Sequence, residues 1–227
     1  MIKGIDISHW NGKVDFKKVK GSGIDFVLIK AGGSDNGFYK DSMFEEYYRE
    51  AKAAGLSVGA YYFVGKKFYG VVSGVADAEK FIKLLQGKEL DYPVFLDVET
   101  TDARYKELAT DAAIAFCETM EKAGYFVGIY ASDISGYREK LNHSRLMSYT
   151  HWVARYGGDL EECKEHTIHQ YTSKGSVNGI SGSVDLDDSN TDFSKIIKEK
   201  GFNGYKKKDP EPKQTKKIIG KKKSEDK

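Results

Sequence analysis

Eight short apolar runs are spread along almost the whole sequence, and each has the length and composition of a buried β-strand. Between the earlier runs lie helical patterns, in which apolar residues recur every three or four positions. Strands that alternate with helices form a parallel sheet, and eight such strands can close into a barrel. The runs cover residues 4–8, 25–33, 57–65, 93–100, 125–132, 151–158, 167–173 and 182–187.

Three helical patterns are clear, over residues 43–54, 75–85 and 108–120, and each stops at a glycine, the residue typical of the position just past a helix. The later runs are joined by less helical segments. We therefore predict an α/β fold, an irregular single-domain TIM-like β/α barrel with about eight strands. An open doubly wound sheet ranks lower, because no glycine-rich phosphate loop follows the first run.

The net charge of +2 is unevenly distributed over the 227 residues. Residues 206–227 contain ten lysines and four acids, so they carry +6 and the remaining residues carry −4. A mildly acidic body argues against nucleic acid as the main partner. From residue 204 the sequence is rich in lysine, contains two prolines and has few apolar residues, a composition typical of an unfolded segment. We predict a folded domain over 1–203 and a lysine-rich tail or linker over 204–227.

Neither a targeting segment nor a metal motif is evident. The N-terminus, MIKGIDIS, leads directly into the first apolar run without the features of a signal peptide, and no stretch is long enough to span a membrane. Cys117 and Cys163 are far apart, and we expect both to be reduced and structural. His9, His151 and His169 have no metal-ligand spacing, so we expect them to pack or hydrogen-bond, and we predict no metal ligands and no cofactor.

The run PVFLDVET, residues 93–100, is apolar but contains two carboxylates at alternate positions, Asp97 and Glu99, on the same side of a strand. Asp6 lies in the first run and Asp185 in the last, and these runs are neighbours in a closed barrel. We expect all four acids at one barrel mouth, where like charges raise at least one pKa. A protonated carboxyl beside an ionised one suits glycoside hydrolysis.

Clustered carboxylates also suit Mg²⁺ or Ca²⁺, as in a metal-dependent phosphodiesterase, but no arginine that could hold a phosphate lies near these runs. This alternative stays open at the level of the sequence.

Eight motifs follow one another in order over about residues 1–193. They are GIDISHW, DFVLIKAGG, VGAYYF, PVFLDVE, GIYAS, WVARY, HQYTS and GISGSVDLD. Together they resemble the glycoside hydrolase family 25 lysozymes, the Chalaropsis-type N-acetylmuramidases that are common among phage endolysins and bacterial cell-wall hydrolases. The resemblance implies cleavage of the β-1,4 bond between N-acetylmuramic acid and N-acetylglucosamine in bacterial peptidoglycan.

Roles for the acids follow from the same resemblance. Glu99 matches the proton donor, Asp97 the group that stabilises charge at the sugar or its acetamido group, and Asp6 and Asp185 the acids that orient and tune this pair. Residues at other strand ends are expected to bind the glycan, because aromatic faces pack on sugar rings and hydroxyls and amides bind their rims. They are Lys30, Tyr61, Phe63, Tyr130, Trp152, Tyr156 and Gln170.

The expected partner is peptidoglycan, bound by a monomer that does not insert into a membrane. Without a signal peptide, we expect synthesis in the cytoplasm and action on the wall after lysis or non-classical export. The tail is interpreted as a linker, or alternatively as a segment that binds anionic wall polymers such as teichoic acids. A non-catalytic wall-binding relative is the main functional alternative, although such a protein should have lost one of the four acids.

Overall fold

A computed structural model describes residues 1–207 and contains one nine-stranded sheet. Eight strands close a barrel in the order β1-β9-β8-β7-β6-β5-β4-β2, because β1 pairs with both β9 and β2, and the two-residue β3 extends β2. The predicted eight-stranded barrel is therefore confirmed. The strands are β1 Ile2–Ile7, β2 Phe26–Gly33, β3 Tyr39–Lys40, β4 Ser57–Val64, β5 Val94–Val98, β6 Val127–Ser132, β7 Thr150–Ala154, β8 Ile168–Gly175 and β9 Val184–Ser189.

The last strand runs against its neighbours. β9 pairs antiparallel with both β8 and β1, whereas all other barrel pairs are parallel. The fully parallel sheet expected from the sequence is thus wrong at β9. The connection from β8 to β9 is too short for a crossover helix, so the chain has to turn back. As a result, the start of β9 lies at the mouth formed by the ends of the parallel strands.

Five α-helices accompany the strands within residues 1–207, and the predicted three correspond to α2, α3 and α4. Beyond each of these lies the expected glycine, at residues 55, 87 and 124, with φ between 74° and 87°. The prediction did not include α1 and α5, which are too short to give a clear apolar repeat. The helices are α1 Phe16–Gly21, α2 Phe44–Ala53, α3 Gly70–Leu85, α4 Lys106–Lys122 and α5 Phe193–Lys200.

The less helical second half that the sequence predicts corresponds to the connection between β6 and β7. This connection contains a π-helical turn, Asp133–Arg138, and a 3₁₀ turn, His143–Arg145, in place of an α-helix.

In the first half of the barrel, the helices α3 and α4 pack closely against each other because Gly74 has no side chain. A Cβ added there would lie 2.1 Å from the backbone oxygen of Ala112.

The apolar core has two layers. One lies between the helices and the outer face of the barrel, and the other fills the barrel interior with aromatic rings. Tyr62 packs in the outer layer and Tyr61 in the inner one, in agreement with the alternation along β4. The inner aromatic residues include Phe26, Tyr61, Tyr92, Phe95, Tyr130, Trp152 and Phe193. Among residues 1–207, no helix has the length and apolar character needed to cross a membrane.

After α5 the chain packs against the base of the barrel, where β5 and β6 begin. Asn203 is completely buried, and its side chain accepts a hydrogen bond from the Phe126 amide at 2.7 Å and donates one to the Tyr92 carbonyl at 2.8 Å. Tyr205 donates to Asp91 at 2.6 Å. The packed body therefore continues to Tyr205, two residues beyond the predicted boundary at 203. Residues 208–227 of the predicted tail lie outside the described part of the chain.

Replacing Asn203 should destabilise the whole barrel. Asn203→Ala leaves the Phe126 and Tyr92 backbone groups buried without partners, and we expect a loss of about 3 kcal/mol in the free energy of unfolding. Urea unfolding measures this loss. Asn203 also has φ +55°, so Asn203→Gly should recover about 1 kcal/mol of it by removing the left-handed strain. Equal stability of both variants and the wild type would contradict this account.

Candidate active site

Two carboxyl groups end β5 at the barrel mouth, as the sequence predicts. Asp97 is only 3% exposed, whereas Glu99 follows the strand and is open to solvent. Each carboxyl group acts on the pKa of the other, so the two side chains lie close together. The Asp97 Oδ1 atom is buried and has no hydrogen-bond partner within residues 1–207.

Burial and charge both act on this pair. Burial, followed by the charge of Glu99, raises the pKa of Asp97 well above its usual value, while Lys30 opposes the shift. Desolvation by the surrounding protein also raises the pKa of Glu99, against the lowering effects of the Asp97 hydrogen bond, Lys30 and Lys140. The Lys140 ammonium donates a hydrogen bond to the backbone oxygen of Glu99, which fixes the end of the strand. The pair is thus suited to hold a proton at a pH where an exposed acid has lost it.

The other two predicted acids face each other across a strand pair. Asp6 of β1 and Asp185 of β9 are register partners, which the antiparallel direction of β9 makes possible. Asp6 is 6% exposed, and burial raises its pKa well above the usual value, with further increases from Asp187 and Asp185. Burial and the charge of Glu99 raise the pKa of Asp185. The structure therefore brings all four predicted acids together.

Asp187 is a fifth acid of this group, and the sequence analysis did not include it. It is 1% exposed, accepts a hydrogen bond from Trp152 Nε1 at 2.8 Å, and has no donor partner for its second oxygen within residues 1–207. Burial raises its pKa well above the usual value, although the Trp152 hydrogen bond opposes this. The signal was present in the run VDLD, because residues 185 and 187 of one strand point the same way.

Gln170 connects the acids to two tyrosines. Its Nε2 atom donates to Asp6 at 2.6 Å, and its Oε1 atom accepts hydrogen bonds from Tyr130 at 2.9 Å and Tyr156 at 2.7 Å. The residue is 3% exposed, so its polar atoms are already engaged inside the protein. This position suits orientation of Asp6 better than the direct sugar contact expected from the sequence.

The predicted aromatic residues lie at different depths. Trp152 is 1% exposed beneath Tyr130 and Tyr61, with ring centroids 4.2 and 5.8 Å away. The expected stacking of Trp152 on a sugar therefore does not fit, because its faces are covered and its indole N–H binds Asp187. Tyr61 and Tyr130 are also largely buried, whereas Tyr156 is 53% exposed.

Lys30 occupies the side of the mouth next to β4. Its ammonium lies 4.3 Å from the ring centroid of the half-buried Phe63, a cation–π distance. It forms no ion pair within 4.0 Å to any acid of the described residues. The ammonium nevertheless lowers the pKa of both Asp97 and Glu99.

Open cavities lie on both sides of Glu99. One of about 570 Å³ is lined by Glu99, Tyr130 and Tyr156, on the β6 and β7 side. Another of about 960 Å³ is lined by Phe63 and Thr100, on the β2 and β4 side. Open space therefore lies next to Glu99 on one side of the end of β5 and next to Thr100 on the other.

Comparison with known proteins fits this geometry. Residues 5–180 match the family described as glycosyl hydrolases family 25. The chain belongs to this family. The match ends before β9, so the family 25 assignment rests on the first eight strands, and Asp185 and Asp187 lie beyond it.

Relatives of this family 25 chain include lysozymes. It is 34% identical over 188 residues to an autolytic lysozyme of Clostridium acetobutylicum, which covers 82% of this chain and 55% of that protein. The chain thus spans about half the length of that relative. Among solved structures, the CTP1L endolysin is 30% identical with a TM-score of 0.76, covering 88% of this chain and 70% of its own. A Streptomyces coelicolor lysozyme is 26% identical with a TM-score of 0.73, covering 86% and 95%.

Removing the ionisable group of Asp187 should stabilise the family 25 barrel at neutral pH. The raised pKa means that the native state keeps a proton which the unfolded chain releases above about pH 4, so stability falls as the pH rises. Asp187→Asn keeps the acceptor for Trp152 and cannot ionise. We expect a gain of about 1–3 kcal/mol at pH 7, and little change near pH 4, in urea unfolding.

Asp188→Asn is the matched control, because Asp188 is the next residue of β9 and points to the opposite face. It should leave the pH dependence of unfolding unchanged. A loss of stability in Asp187→Asn at pH 7 would mean that the native protein requires the Asp187 carboxylate.

Proposed function

We propose that this chain is an N-acetylmuramidase that hydrolyses the β-1,4 bond between N-acetylmuramic acid and N-acetylglucosamine in bacterial peptidoglycan. The observation that carries the proposal is the adjacent pair of carboxyl groups, Asp97 and Glu99, both with raised pKa values at an open mouth within a family 25 barrel. Relatives named as lysozymes and an endolysin support the same substrate.

Glu99 is the general acid of the proposed reaction. It is the solvent-exposed member of the pair, so it donates its proton to the glycosidic oxygen as the bond from that oxygen to the anomeric carbon breaks. The leaving sugar departs as an alcohol, and Glu99 becomes a carboxylate. The same carboxylate then takes a proton from the water that attacks the anomeric carbon.

Asp97 lies on the same side of the site as Glu99, not on the opposite face of the sugar. Schemes with two separate carboxylates place one on each side of the scissile bond, whereas Asp97 and Glu99 lie two residues apart on one side of β5. This favours a substrate-assisted route, in which the acetamido oxygen of the muramyl residue attacks its own anomeric carbon. Asp97 then stabilises the positive charge that develops on the acetamido group, and water opens the resulting ring.

The remaining residues form two groups, those that contact the substrate and those that hold the acids in position. Tyr156 and Phe63 are accessible enough to pack against sugar rings, and the Lys30 ammonium suits the lactyl or peptide carboxylate of the substrate. Gln170, Tyr130 and Trp152 are support residues, since they hold Asp6 and Asp187 through hydrogen bonds or packing. Tyr61 adds to the wall beside Trp152.

Two other functions remain as alternatives with defined tests. A non-catalytic wall-binding protein would bind peptidoglycan without releasing reducing sugars. A metal-dependent phosphodiesterase would lose activity with a chelator, but the raised pKa values of the acids and the nearby Lys30 charge are unfavourable for a divalent cation. We also propose that the protein acts on the wall as a monomer. Wall binding measured at low salt, with and without residues 208–227, tests whether the tail contributes to it.

Glu99→Gln should abolish activity. The change keeps the side-chain size and removes the transferable proton, and general acids contribute about 10²–10⁴-fold to rates. We expect at least a hundred-fold loss of reducing-sugar release from purified peptidoglycan, measured with EDTA present. Glu46→Gln, the same change at an exposed position of α2, should retain full activity. Full activity in Glu99→Gln, or loss of wild-type activity only with EDTA, would contradict the proposal.

Lys30→Met should move the pH profile toward higher pH. The Lys30 charge lowers the pKa of Asp97 and Glu99, so its removal lets the pair keep its proton to a higher pH. The alkaline limb in the plot of kcat/KM against pH should therefore shift toward higher pH, whatever the change in KM. Lys3→Met, an exposed lysine of β1, is the control and should leave the limb in place. A downward shift would rule out this electrostatic role.

A further inference from the structure

Three potential metal ligands meet on the outer side of the barrel wall, away from the acids. They are His143, in the 3₁₀ turn after β6, His151 of β7, and Cys163, in the connection from β7 to β8. One donor atom of each lies within 4.8 Å of the others. All three are buried, at 8%, 2% and 0% exposed. His151 faces outward because its neighbour Trp152 faces the barrel interior.

The hydrogen bonds leave one nitrogen of each histidine free. His143 Nδ1 lies 3.5 Å from Glu162, whereas His143 Nε2 is buried without a partner within residues 1–207. His151 Nε2 lies 3.1 Å from the Leu146 carbonyl, and we assign the ring proton to this nitrogen because a carbonyl can only accept. With the proton on Nε2, His151 Nδ1 carries a lone pair and cannot donate to the Glu165 carbonyl, 3.5 Å away. His143 Nε2 and His151 Nδ1 are therefore the available lone pairs.

The surroundings resemble the supporting shell of a metal site. Ligating histidines usually donate their other N–H to a carboxylate or a backbone carbonyl, as Glu162 and Leu146 provide here. The segment that carries the cysteine is also fixed. Asp133 accepts hydrogen bonds from three successive backbone amides, those of Glu161, Glu162 and Cys163, at 2.9–3.0 Å.

The chemistry of the three donor atoms determines which metal ion the cluster can bind. Two imidazole nitrogens and one sulfur suit Zn²⁺, whereas Mg²⁺ and Ca²⁺ require oxygen ligands. Tetrahedral zinc places such donors about 3.3–3.8 Å apart, which is closer than the 4.8 Å within which the three residues place theirs. We propose that His143, His151 and Cys163 bind one Zn²⁺ ion, with water as the fourth ligand on the slightly exposed side of His143.

Binding is coupled to one proton. Zinc binds the thiolate form of cysteine, so the Cys163 thiol proton leaves to solvent as the zinc–sulfur bond forms, and the thiolate balances one charge of the ion. The ion would join the β6–β7 connection to the segment before β8, so its role is structural and independent of the proposed hydrolysis.

The test uses the full chain, stripped with EDTA and dialysed, with Zn²⁺ added during calorimetric titration and thermal unfolding. We expect one ion per chain and a rise in Tm. Substituted Co²⁺ should give the near-ultraviolet charge-transfer band of a thiolate ligand. Peptidoglycan hydrolysis at low temperature should be the same with and without the ion, which separates this test from that of the proposed function.

Matched variants locate the ion. Cys163→Ser and His143→Gln should each weaken Zn²⁺ binding by at least about a hundred-fold, more than loss of a supporting residue usually does. Cys117→Ser, at the other buried cysteine, and His166→Gln, at a nearby histidine, should bind like the wild type. No stoichiometric binding by the wild type would overturn the proposal, as would unchanged binding in both Cys163→Ser and His143→Gln.

Discussion

Desolvation of carboxyl groups inside a closed barrel is the constraint on which the site depends. Asp6, Asp97 and Asp187 are almost completely removed from water, and an isolated ionised carboxylate is very costly in such a place. The barrel resolves this cost by keeping protons on some of these groups and by supplying donors from Gln170 and Trp152. The packing that stabilises the fold thus also produces acids that hold protons at a raised pH.

The antiparallel last strand makes this cluster compact. In a fully parallel barrel, each strand contributes its final residues to the mouth. Here β9 enters at the mouth, and its first residues pair with the last residues of β1, so Asp185 lies beside Asp6 and Asp187 lies one step deeper. The depth of each acid along the strand then determines its environment, from exposed Glu99 to fully buried Asp187.

Much of this arrangement could be predicted from the sequence because it depends on local patterns. All eight apolar runs are strands, and the alternation in PVFLDVET placed Asp97 and Glu99 on one side. The two-residue alternation along a strand, however, gives neither the direction of the strand in the sheet nor the depth at which a side chain is buried. The reversal of β9 and the complete burial of Trp152 depend on contacts with distant strands. The His143, His151 and Cys163 cluster has no motif spacing, since three separate segments bring it together.

The packing of residues 203–205 against the base of the barrel determines how the protein can be attached to a surface. Asn203 and Tyr205 fix the end of the described chain where β5 and β6 begin, on the face opposite the acids. A tether joined at Lys207 therefore starts from the back of the molecule. Immobilisation through this point on a bead or a sensor surface would orient every copy with its cleft outward, open to a large insoluble polymer.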